Sequence, residues 1–123
     1  MMLSLNGKQY KDVSREFLHR SLSLMSDEEF CEIWITAPEG MSLCCLKNKH
    51  KCFLMYLRFE GDSGFTIRNQ RTSESELMKF VLSNGQVDFY PSSWTTSYET
   101  GKNALEYFYS TKAMDTRLRW NKD

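Results

Sequence analysis

The sequence has no net charge to spend on a polyanion: sixteen lysines and arginines are matched by sixteen aspartates and glutamates over 123 residues. A broad nucleic-acid or lipid-headgroup surface needs a basic surplus, so the balance argues against both. No run approaches the ~18 consecutive apolar residues of a membrane-spanning helix. The start, Met1-Met2-Leu3-Ser4-Leu5-Asn6-Gly7-Lys8, lacks the basic residues and apolar core of a secretion signal, and the expected location is the cytoplasm. Neither a phosphate-binding glycine loop, nor a nucleophile elbow, nor a paired-histidine zinc helix occurs.

Imidazole is scarce as well. His19 falls on an expected helix and His50 in a polar segment, neither with an evident nucleophile or carboxylate partner. Four cysteines occur (Cys31, Cys44, Cys45, Cys52) but no C-x-x-C pair. Cys44 and Cys45 are adjacent, and in a strand they point to opposite faces, so they cannot share one metal ion. The expectation is reduced, buried thiols whose apolar surroundings raise their pKa, with no metal and no cofactor. The acid pairs (Asp27/Glu28/Glu29, Glu60/Asp62, Glu74/Glu76) all fall in expected turns or loops. Acid–base catalysis needs burial to separate two carboxyl pKa values, and solvated loops do not supply it. The chain is therefore not expected to be an enzyme.

What the sequence does have is core material. Hydrophobic residues make up 41% and aromatics 14%, with eight Phe, six Tyr and three Trp. That fills one core, and residues 1–123 are expected to form one domain. Phe17, Leu18, Leu22 and Met25 recur at helical spacing behind Ser14, a capping residue, which predicts a helix over 14–25. Tyr98, Ala104, Leu105, Phe108 and Tyr109 predict a second over 98–110, its first turn weakened by Gly101.

Between the helices lie runs with strand character. Residues 31–36 are β-branched and aromatic, Pro38-Glu39-Gly40 turns the chain, and runs over 41–46 and 52–59 follow. The segment Lys47-Asn48-Lys49-His50-Lys51 reads as a hairpin loop between them. Cys52-Phe53-Leu54-Met55-Tyr56-Leu57 is apolar on both faces, the mark of a strand covered on both sides. Residues 65–68 form another short run, and 69–76 reads as a polar loop. Asn84-Gly85, between 77–82 and 87–90, predicts a hairpin with both residues at positive φ, and Asn6-Gly7 is a second such dipeptide. Thr116 to Trp120 reads as a closing strand. The order predicts an α+β fold, an antiparallel meander of five to seven strands packed with two helices.

The acidic loops suit recognition better than catalysis. Carboxylates beside exposed aromatics combine steering with an apolar anchor for a basic partner. The candidates are Glu60, Asp62, Glu74 and Glu76, with Trp94 and Tyr98 as anchors; the plainer role for Trp94 is to pack the last helix onto the sheet. Charge also alternates in blocks: four Lys/Arg face seven Asp/Glu over 1–46, six face two over 47–71, one faces four over 72–101, and five face three over 102–123.

The aromatics and their order resemble a known family. Trp34 on a strand is followed by Phe53-Leu54-Met55-Tyr56, a hairpin into Phe89-Tyr90-Pro91, Trp94 just beyond, Ala104 and Phe108 on a helix, and Trp120 on a last strand. This pattern, over roughly residues 30–120, is similar to immunity proteins of bacterial polymorphic toxin systems, in particular the first-named Imm family, with members from contact-dependent growth inhibition. The resemblance implies a non-catalytic antitoxin. It would bind the C-terminal toxin domain of a cognate effector, a nuclease or deaminase, one to one in the cytoplasm and block it. The alternative is a small-ligand or nucleic-acid module using the basic 47–51 segment.

Overall fold

Strand pairing organises the computed structural model, which describes residues 1–69 and 76–123. In chain order the elements are β1 (Met2–Leu5), β2 (Lys8–Tyr10), α1 (Arg15–Met25), β3 (Phe30–Thr36), β4 (Ser42–Asn48) and β5 (Lys51–Leu57). There follow β6 (Phe65–Arg68), β7 (Leu77–Val81), β8 (Val87–Pro91), a 3-10 turn (Ser92–Trp94), β9 (Thr95–Ser97), α2 (Tyr98–Thr111) and β10 (Arg119–Lys122). Eight strands form one sheet in the order β10-β6-β5-β4-β3-β1-β2, with β9 beside β5. All of its pairs are antiparallel, so the α+β class with a meander sheet is correct. No helix among the described residues is long and apolar enough to cross a membrane.

Both helices begin as the sequence dictates. Ser14 is extended and its hydroxyl accepts from the Phe17 N–H, while Ser97 does the same for Thr100. Leu18, Ser21 and Leu22 of α1 and Gly101, Ala104, Leu105 and Phe108 of α2 are buried at helical spacing. They cover one face of the sheet, against Leu3, Ile33, Ile35, Leu43, Cys45, Leu54 and Ile67. Alternation sends Cys44, Leu46 and Phe53 to the other face, where Phe80 of β7 meets them in a second, smaller core. The strands β4 and β5 are thus covered on both sides, as their unbroken apolar runs demand.

The cover on that second face departs from a simple meander. Among the described residues β7 and β8 pair only with each other, a separate two-stranded sheet laid on β3, β4 and β5. Its base lies by Trp94, whose ring stacks under the Arg68 guanidinium of β6 at 3.7 Å. Its tip is fastened to β3, where Glu32 accepts hydrogen bonds from the Ser83 N–H (3.0 Å) and hydroxyl (2.8 Å). The hairpin therefore runs across the strands beneath it.

Three local expectations need correction. The Asn84-Gly85 turn is not the two-residue type: among its residues only Gly85 has positive φ, and Leu82 and Gln86 close a three-residue loop. Asn6-Gly7 does form the two-residue turn, with φ of 49° and 87° between paired Leu5 and Lys8. The 47–51 segment is not a loop. Lys47 and Asn48 belong to β4, the turn is only Lys49-His50, and Lys47 is 2% exposed. The last strand starts at Arg119 rather than Thr116, because Asp115 ties down the approach: it accepts from the Arg117 N–H and guanidinium, and its carbonyl accepts from the Trp120 indole.

Candidate protein-binding surface

The five nominated residues that are described do not share a surface. Tyr98 is buried at the start of α2, where its hydroxyl donates to the Leu22 carbonyl at 2.7 Å, which corrects its assignment as an exposed anchor. An amphipathic aromatic at a helix N-terminus is indistinguishable in sequence from a surface one until α1 is placed over it. Trp94 is half-buried on the hairpin side, between Tyr90 and Arg68, so it packs the hairpin and not the last helix. Asp62 closes its own turn, accepting from the Arg58 N–H and, through both carboxylate oxygens, from the guanidinium at 2.8 and 2.9 Å. Glu60 is exposed on that same turn, beside exposed Phe59. Glu76 is exposed at the base of the hairpin, and its carbonyl accepts from Ser92. Glu74, like most of the expected 69–76 loop, lies outside the described residues.

The Arg58 guanidinium and N–H hold the Asp62 carboxyl well below the usual range, and the Arg117 guanidinium holds Asp115 below it. Burial works against ionisation of Glu32, but hydrogen bonds from Ser83 and the Trp34 indole outweigh it and keep that carboxyl low too. Depressed folded-state values mean that the unfolded chain binds more protons as pH falls. The stabilisation is complete above the ordinary carboxylate range and is lost below it. The melting temperature is thus expected to drop between about pH 5 and pH 2, and Asp62→Asn should flatten that slope. A melting temperature constant over this interval would contradict the paired carboxylates.

Sequence reasoning missed the exposed apolar face of the hairpin. The register Leu77↔Pro91, Lys79↔Phe89 and Val81↔Val87 puts those six residues on the side away from the sheet. Leu77 is 64% exposed, Phe89 57% and Val87 44%. The inner side carries Phe80, Met78 and Tyr90, whose ring stacks on Phe53 at 3.9 Å and 5°. Burial, reinforced by Asp88, pushes the Tyr90 phenol up to about 12. The signal was present: residues 77–81 and 87–90 place large apolar groups at both alternating positions, and a two-stranded unit has only one face to bury. Lone exposed apolar residues are ordinary; here three large ones share one face of the hairpin.

The opposite side holds the buried Lys47. Its ammonium donates to the Glu28 carbonyl and lies 5.3 Å from the Tyr98 ring centroid. A depression of about 640 Å³ opens beside it, rimmed by Asp27, Glu28, Glu29 and Glu99. His19 does have a carboxylate partner, Glu106 at 3.1 Å, but the pair is exposed and no nucleophile adjoins it. Among the described residues no group of His, Cys, Asp and Glu could hold a metal ion. All four cysteines are free and buried. Burial pushes the Cys31 thiol up to about 12 and Cys44 well above its ordinary value, and a hydrogen bond that Cys45 donates to Cys52, together with burial, does so for Cys45. Such thiols are poor nucleophiles.

No protein-family model matches the chain, and no curated protein matches it in sequence.

Proposed function

We propose that the chain acts by binding another protein, as an immunity protein that blocks the toxin domain of a cognate contact-dependent growth inhibition effector in the cytoplasm. The observation that carries this reading is the outer face of the β7–β8 hairpin, where Leu77, Val87 and Phe89 stand exposed on a rigid, aromatic-backed support. Such a face offers an apolar anchor whose ordering cost is already met by Phe80, Tyr90 and Trp94 beneath it. Glu76 at its base supplies a carboxylate suited to a basic partner, the surface expected of a nuclease or deaminase that handles phosphate backbones. The raised thiol pKa values support a non-catalytic role. The alternative built on residues 47–51 is weakened by the burial of Lys47, which leaves Lys49 and Lys51 as the cations of that turn.

The test is association with the polypeptide encoded immediately upstream, coexpressed and followed by calorimetry. A one-to-one complex is expected, and Phe89→Asp should weaken it by about 30-fold or more, the scale of a hot-spot residue, without changing the melting temperature. No association, or full affinity in Phe89→Asp, would overturn the reading.

A further inference from the structure

Both β6 and β9 lie along the same edge of β5: β6 pairs at Met55 and Tyr56, and β9 pairs at Lys51 to Phe53. Where β6 ends, the Asn69 N–H donates to the Ser93 carbonyl at 2.6 Å, and the sheet is left with a seam. A depression of about 560 Å³ opens there, lined by Arg68, Asn69, Thr96, Thr100, Arg117 and Arg119 together with two apolar residues. Three arginines lining one depression are unexpected in a chain of zero net charge.

The three are not equally occupied. Arg68 is fixed over Trp94, donates to the Thr66 hydroxyl and the Ile67 carbonyl, and lies 3.7 Å from Asp123. Arg117 is clamped by both oxygens of Asp115. Arg119 makes no hydrogen bond or ion pair among the described residues, and it stands directly opposite Arg68 across the β6–β10 pair. Like charges at directly opposed positions destabilise a sheet. With Asp115 and Asp123 each engaged by one arginine, the depression keeps a surplus positive charge centred on Arg119.

We propose that this seam binds a phosphate group, with Arg119 as its principal ligand and Arg68 as a pre-oriented second. Guanidinium forks match phosphate oxygens in pairs, and Thr96 and Thr100 add neutral polar residues to the lining. The volume lies within the range of small-ligand sites, so a phosphomonoester of mononucleotide size fits as well as free phosphate. An anion there relieves the Arg68–Arg119 repulsion, which gives the site a reason to be filled. The site is separate from the outer face of the hairpin, and its test does not depend on any toxin.

Calorimetry and thermal melting with inorganic phosphate, adenosine monophosphate, ribose 5-phosphate and adenosine address it. Phosphate-bearing probes are expected to bind and to raise the melting temperature, and adenosine to do neither. Tighter binding of the esters identifies a phosphomonoester as occupant; equal binding identifies the free anion. Arg119→Gln should weaken phosphate-bearing probes by about tenfold or more and, without ligand, melt at or above the wild-type temperature, because the like-charge pair is gone. Arg119→Lys should retain part of the affinity. Failure of every phosphate-bearing probe to bind, or unchanged binding in Arg119→Gln, would refute the site.

Discussion

Phe80→Ala is expected to cost about 3–5 kcal/mol and to release the β7–β8 hairpin from the sheet before the sheet itself unfolds. Phe80 is fully buried, and among the described residues the second core contains three other buried ones, Cys44, Leu46 and Phe53. Its ring lies 6.4 Å from Phe53 and 6.0 Å from Tyr90, so its removal opens the centre of the cluster. The fastenings that remain are the Tyr90 stack on Phe53 and two polar ties, Ser83 to Glu32 at the tip and the Asn48 amide to the Lys79 carbonyl. Hydrogen exchange should show amides of 77–90 losing protection while β3, β4 and β5 keep theirs. Partner binding should be lost along with them. A loss of stability below about 1 kcal/mol would mean that the hairpin is held by its ends alone.

Gly101→Ala should destabilise, against the usual sign for glycine inside a helix. On propensity alone alanine gains about 1 kcal/mol there. A Cβ at this position would sit 2.5 Å from the Cys52 sulfur and 3.6 Å from the Cys45 sulfur. Cys52 is fully buried, and its thiol is directed at the Ser97 carbonyl at 3.5 Å. Overpacking of this kind costs about 1–3 kcal/mol, so it cancels the propensity gain and leaves a net loss of up to about 2 kcal/mol. The pairing can be isolated: in a Cys52→Ala background the same substitution should be neutral or stabilising, a coupling of about 1 kcal/mol or more in a double-mutant cycle. Stabilisation by Gly101→Ala in the wild-type background would show that α2 stands farther from β5 than described.

Gly101 also illustrates what could be read in advance. Its helix was legible, because Ala104, Leu105 and Phe108 repeat at helical spacing behind a capping serine; why glycine is there was not, because the reason lies on a strand about fifty residues away. Ser14 and the period of Leu18 and Leu22 located α1 within a residue. The two Asn-Gly turns differ through pairing, since Leu5 faces Lys8 but Leu82 faces Gln86, and only the strands decide how many residues the loop contains. Lys47 read as loop because a lysine in a strand core needs a partner, and that partner is the Glu28 carbonyl in the connection between α1 and β3.

The candidate surface was less legible than the fold. Two-sided apolar character in β5 announced that something covers each face, but not that a hairpin crosses one of them. The nominated carboxylates were chosen by their loops, and loop positions follow from topology: Glu60 and Asp62 belong to the β5–β6 turn, Glu76 to the hairpin base. Of the nominated aromatics, Trp94 came nearest, since it supports the hairpin from behind.

The division of the thiols gives the molecule two internal gauges. Cys44 is roofed by the hairpin, whereas Cys31, Cys45 and Cys52 are roofed by the helices. An alkylating reagent finds no thiol on the closed molecule, so the order in which these sulfurs become modified reports which lid lifts first.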